Sequence, residues 1–292
     1  MLPTSHAALH SASFPFPVTL ALVLAALVYT RGWYRLRSDP LNRIPAWRLA
    51  VFMTGLFSIW IAVGSTLATL DDELLSVHML QHCLLMAVGP PLILLAAPVL
   101  PFRLGLPEFM VQGILLRLFR CSPLGSLGRA LTHPVFCWFA GTITVIAWHV
   151  PALFELGLRS HWWHETQRAS FFVAGILFWI PVVQPWPGIA KWPRWSIPLY
   201  LFLATLPCDA LSAFLTFSDR VVYPSYLSAP PLLNSSPLQD QETAGALMWV
   251  FVTFVYLIPA VAITIEILSP GRDWRWDDHR GSSVCPTRIN EN

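Results

Sequence analysis

The chain has 292 residues, of which 55% are hydrophobic and only 12% charged, and its formal net charge is +2. A soluble globular domain carries about twice that charged fraction. The composition therefore excludes a soluble domain and indicates an all-α polytopic membrane protein built as one bundle. The basic residues line one membrane face, so the small net charge gives no support to a nucleic-acid partner.

In chain order, residues 1–14 contain no Lys or Arg and lack the basic start of a cleavable signal peptide. They are read as an extracytoplasmic N-terminal tail. Residues 15–269 form the transmembrane domain, with seven segments near the ~20 apolar residues a spanning helix needs. These lie at 15–34, 46–70, 74–100, 133–154, 167–183, 197–217 and 243–268. Prolines 90, 91, 98, 151, 181, 198, 207 and 259 punctuate them, which a bilayer tolerates where neighbouring groups satisfy the freed carbonyls. Residues 270–292 form a polar cytoplasmic tail. The connection 101–132 contains EFMVQGILLRLFR, whose mixed apolar and basic spacing predicts a helix lying on the inner leaflet.

Orientation follows from the basic residues. The first, third and fifth loops and the C-terminus hold fifteen Lys and Arg, against three on the other side (Arg159, Arg168 and Arg220). That asymmetry puts the N-terminus outside and the C-terminus in the cytoplasm. Cysteines 83, 121, 137, 208 and 285 form no CxxC, so neither a disulfide framework nor a zinc knuckle is indicated.

Ionisable residues inside a spanning segment are costly and mark functional sites. His78 and His82 stand one turn apart in the third span, on one helix face, near its outer end. His149 falls at the outer end of the fourth span, and His161 and His164 in the outer loop before the fifth. Asp71, Asp72 and Glu73 make an outer turn expected to be a solvated loop, Asp240 precedes span seven, and Met248 lies at about the depth of His82. Only His133 and His279 fall on the inner side. His78, His82, His149 and His164 are thus the expected metal ligands, with Met79, Met86, Asp240 and Met248 as additional candidates. Imidazole suits copper, zinc, iron and nickel, whereas thioether sulfur favours Cu(I). Copper is the expected metal, and two axial histidines clamping haem remain an alternative. Asp209, in the sixth span, needs a partner. No nucleophile–base pair, phosphate loop or HExxH motif is present, so an enzyme is not expected.

The runs HMLQHCLLMAVGPPLILLAAPV (78–99), WHVP (148–151), HETQRASFFVAGILFWIPV (164–182) and DQETAGALMW (240–249) resemble the multi-pass CtaG family, seven-helix assembly factors of caa-type cytochrome c oxidase. The resemblance runs from about residue 47 to 268. A single-span copper-delivery protein shares the CtaG name, and this chain does not resemble it. Membership implies a non-enzymatic role in maturing a haem–copper oxidase, with oxidase subunits and the lipid bilayer as partners. Homo-oligomerisation stays open. The matching polar positions are His78, His82, His149, His164 and Asp240. Some members carry a further acidic or His residue a turn after the position of His164, where this chain has Gln167 and Arg168. A copper transporter and a haem-binding membrane redox protein are the alternatives. Transport requires a polar path inward, and only Asp209, Met86 and Glu266 offer one.

Overall fold

A computed structural model describes residues 16–37, 44–65, 67–107, 128, 130–184, 192–228 and 235–269. Both predicted tails and the predicted interfacial helix lie outside the described residues. The uninterrupted apolar runs between polar turns fold as helices, and no strand occurs among the described residues. In order they are α1 (Phe16–Arg37), α2 (Ala46–Gly64), a short α3 (Leu67–Leu70), α4 (Leu75–Cys83), a π-helical turn (Leu84–Val88), α5 (Gly89–Leu95), α6 (Val99–Gly105), α7 (Pro134–His149), α8 (Pro151–Arg159), α9 (His161–Val183), α10 (Ser196–Phe217) and α11 (Pro237–Leu268). Six spans are long and apolar enough to cross a bilayer, and a seventh is supplied if α7 and α8 are counted together. The chain is a multi-pass membrane protein.

Four boundaries differ from the sequence reading, each for a local reason. The third span ends at Leu95 rather than at residue 100, because Ala97 takes a positive φ of 46° ahead of Pro98 and breaks the helix. The fourth span does not continue to residue 154: Pro151 removes an amide donor, α7 stops at His149, and α8 turns away by 75°. The fifth span begins six residues early, so His161 and His164 lie on the first turn of α9 rather than in a loop. The seventh begins at Pro237, where Ser236 and Gln239 form a reciprocal capping box and Pro at the first helical position suits the entry. Asp240 is consequently inside α11.

The third span carries the site and is the most deeply enclosed. Pro90 and Pro91 have no N–H to offer the carbonyls of Met86 and Ala87 four residues earlier. The helix answers by widening into the π-turn, where Gly89 N–H donates to the Leu84 carbonyl. The indole of Trp179 on α9 then donates to the Met86 carbonyl at 3.0 Å. Gly175 makes that approach possible, since a Cβ there would stand 2.8 Å from the same carbonyl oxygen. On the other flank, Gly245 of α11 lies so close to α10 that a Cβ would meet the Thr216 backbone nitrogen at 2.8 Å. Small residues at helix crossings are how membrane bundles gain van der Waals contact, because lipid is as apolar as the core.

Two cores result. The larger joins Met79, Cys83, Met86, Phe154, Phe171, Phe178, Trp179, Leu201, Met248 and Tyr256. The smaller joins α1 to α2 and α5 through Tyr29, Trp33, Phe52 and Ala96, with the Tyr29 hydroxyl donating to the Ala96 carbonyl at 2.9 Å. Large apolar side chains such as Phe202, Phe214, Phe254 and Ile258 point outward, as a lipid-facing surface requires.

Candidate metal centre

The ends of α2, α7 and α10 and the starts of α4, α9 and α11 meet at one end of the bundle, and the polar residues gather there. Spacing places them. Asp71, His78 and His82 recur at i, i+7 and i+11, and the turn ahead of α4 preserves the winding, since Leu74 N donates to Leu70 O and His78 N to Leu74 O. On α9, His164, Arg168 and Phe171 form a second stripe at i, i+4 and i+7.

The stripes face each other. Nε2 of His164 is 3.1 Å from Asp71 Oδ2, and Arg168 Nη2 donates to the same oxygen at 2.6 Å. Arg168 Nη1 donates to Glu165 at 3.1 Å. The rings of His78 and His164 stack 5.6 Å apart, those of His78 and His82 meet edge to face at 4.5 Å, and those of His82 and His149 at 5.8 Å. The four imidazoles predicted from sequence therefore form one continuous row. Asp71, His78 and His164 bring one ligand atom each to within 4.8 Å of one another.

The row is enclosed. His78, His82 and His149 are 1%, 4% and 5% exposed. Phe154 lies 4.8 Å from the His78 ring and Phe171 stacks on His82 at 4.0 Å. Above them Tyr223 stacks on Phe154 at 3.9 Å and donates its hydroxyl to the His149 carbonyl at 3.1 Å. Tyr226 donates to the Asp71 carbonyl at 2.7 Å. The segment 218–228 is thus a packed aromatic cover, with a short 3₁₀ turn at Pro224–Ser228.

Inside this enclosure, both ring nitrogens of His78 and both of His82 are buried without a hydrogen-bond partner. A buried polar atom left unmade costs roughly 1–3 kcal/mol, and four together are a large liability. A cation held by one nitrogen of each ring would satisfy two of the four. The donor set of imidazole nitrogens, one carboxylate and one thioether fits a first-row transition metal.

Asp71 overturns the expectation of a solvated acidic loop. Its side chain is 1% exposed. Burial pushes its carboxyl up, but the His164 hydrogen bond and the Arg168 charge more than offset that and hold it below the ordinary carboxylate value.

The additional candidates separate. Met79 Sδ lies 3.2 Å from Nε2 of His149, the one methionine sulfur that meets an imidazole nitrogen among the described residues. Met86 packs near Gly141 and Gly175, and Met248 is buried in the core. Asp240 accepts from Leu75 N at 2.6 Å, Ser76 N at 3.4 Å and the Ser76 hydroxyl at 2.5 Å. It therefore caps α4 from another helix, at the end where an anion is favoured. Asp240→Ala is expected to lower stability by about 1–2 kcal/mol and to loosen His78, whereas Asp240→Asn keeps an acceptor and most of the stability. Thermal unfolding of the two variants in detergent checks this, and equal losses would contradict the capping role. Asp209 lies on α10 with Oδ1 buried and unpartnered. His161 is exposed, and His133 sits at the other end against Trp192.

The family model described as cytochrome c oxidase caa3 assembly factor, Caa3_CtaG, matches residues 27–269. The chain belongs to the Caa3_CtaG family. Uncharacterized proteins of Mycobacterium bovis and Mycobacterium tuberculosis are each 26% identical to it over 274 residues, covering 89% of this chain and 39% of theirs. One of Mycobacterium leprae is 26% identical over 269 residues, 88% of this chain and 38% of its own. The chain thus spans about two-fifths of the length of these curated relatives. No solved structure matches it.

Proposed function

We propose that this Caa3_CtaG protein is a non-enzymatic factor of cytochrome c oxidase maturation, holding copper as cargo in the His78–His82–His149–His164 row and passing it to an oxidase subunit. The carrying observation is the set of four orphaned nitrogens on His78 and His82, flanked by His149, His164, Asp71 and Met79. The fifteen-to-three distribution of Lys and Arg supports placing this end of the bundle outside a bacterial plasma membrane. Delivery from that face suits a client whose copper is inserted within or beyond the bilayer.

Packing favours delivery over transport. Past His82 the interior is filled by Leu85, Met86, Phe178, Trp179 and Tyr256, all buried, and among the described residues these form no continuous polar path for a cation. Packing also favours an ion over a macrocycle, because Phe154 and Phe171 lie directly against the imidazoles.

Copper analysis tests this. Detergent-purified wild type is expected to retain copper, and the His78→Ala/His82→Ala variant to lose at least nine-tenths of it. In cells carrying only the variant, oxidase protein is expected to accumulate without activity. Equal copper in both proteins would remove the ligand assignment.

A further inference from the structure

The row of imidazoles is not chemically uniform. At one end Asp71, His78 and His164 offer oxygen and nitrogen, with Arg168 and Glu165 beside them. At the other end Met79, His82 and His149 offer nitrogen and sulfur, with no carboxylate among the contacts of either ring in the described residues. We infer that Met79, His82 and His149 form a second, softer site that holds a cuprous ion. The inference rests on the copper-handling reading above and assigns it an oxidation state and an address.

The hydrogen bonding of His149 fixes its role. Nδ1 stands 2.7 Å from the Val145 carbonyl, and a carbonyl can only accept. Nδ1 therefore carries the proton, and in the neutral ring Nε2 presents a bare lone pair. That lone pair faces Met79 Sδ at 3.2 Å. A thioether has no hydrogen to give, so two electron pairs confront each other at contact distance. The opposite tautomer would set the Nδ1 lone pair against the Val145 oxygen, closer still. A doubly protonated ring would bury a cation with no anion against it, which is costlier than either. A metal ion between nitrogen and sulfur resolves the confrontation. The Nδ1–H bond to a backbone carbonyl is also the usual outer partner of a metal-ligating imidazole, holding the ring and its tautomer in place.

His82 completes the set. Both its nitrogens lack partners, and Phe171 stacked at 4.0 Å fixes the plane of its ring. Two imidazoles that share an ion at about 2.0–2.1 Å place their ring centres roughly 5.5 Å apart at a trigonal angle and about 6.4 Å apart when collinear. The His82–His149 separation of 5.8 Å falls between these. Sulfur with two imidazoles in a dry, uncharged pocket favours a monovalent soft ion, and the Asp71 end favours a divalent one. His78, whose ring is 4.5 Å from that of His82, touches both compartments and can pass an ion from one to the other.

Competition titrations on the detergent-purified full chain test the assignment. One series uses Cu(I) against a chromophoric Cu(I) chelator, and the other uses Zn(II). Met79→Leu conserves volume in the core and is expected to weaken Cu(I) at least tenfold while changing Zn(II) less than twofold. X-ray absorption of the Cu(I)-loaded wild type is expected to show a sulfur neighbour that Met79→Leu lacks. Cu(I) affinity within twofold of wild type in Met79→Leu, or a copper shell of nitrogen alone in wild type, would overturn the soft site and leave copper binding by the histidines standing. A wild type that binds no Cu(I) would overturn both.

Discussion

Replacing His78 and His82 together by leucine is expected to raise the thermal stability of the metal-free protein while abolishing its copper. All four ring nitrogens are buried without partners, and the rings pack among Phe154, Phe171 and Met79. Each unmade hydrogen bond costs roughly 1–3 kcal/mol, and exchanging such groups for apolar ones of similar size removes that cost. Rearranged packing returns part of it, since shape changes in a core cost up to about 1.5 kcal/mol each. The balance is a gain of a few kcal/mol, read as a rise of several degrees in a protein of this size. Stability sacrificed at a binding site is a familiar exchange. If the two histidines instead served as hydrogen-bonding links between helices, the same variant would melt lower than wild type.

Asp71→Asn is expected to act in the opposite direction. The carboxylate holds Arg168 at 2.6 Å and His164 at 3.1 Å in a setting where Asp71 is 1% and Arg168 12% exposed. Neutralising Asp71 leaves Arg168 only the more exposed Glu165 as a charged partner, a loss of up to about 3 kcal/mol. The pH dependence has a definite sign. The folded-state pKa of Asp71 lies below its ordinary value, so its stabilising contribution is fully present above about 3.9, the unfolded value. It disappears as pH falls through the lowered value. Wild type should therefore lose its advantage over Asp71→Asn only in strong acid, and show it undiminished from about pH 5 upward. Thermal unfolding of both proteins in detergent across pH 3–7 measures this. An advantage that is absent at pH 7 would contradict the buried pairing.

Much of this arrangement is legible in the chain itself. The apolar runs give the helices, and the i, i+4 spacing of His78 and His82 on a span gives the heart of the site, because both depend on local periodicity. Tertiary contacts are not written that way. Asp71 reads as a loop residue until Arg168, ninety-seven positions later, is seen to hold it; its i, i+7 relation to His78 was the available signal. Asp240 resembles a ligand because an acid near a histidine cluster does, and only the placement of the α4 N-terminus against it reveals a cap. The aromatic cover of Tyr223 and Tyr226 sits in a Pro- and Ser-rich connection whose composition says nothing of burial. The 75° break after His149 follows from Pro151, yet apolar residues continue through Phe154 and hide it.

The most direct measurement is an anomalous-scattering map of the copper-loaded protein at the copper absorption edge. The expected peak lies in the row of imidazoles, within bonding reach of at least two of His78, His82, His149 and His164. No peak there, or copper gathered at the opposite end around His133, would contradict the account.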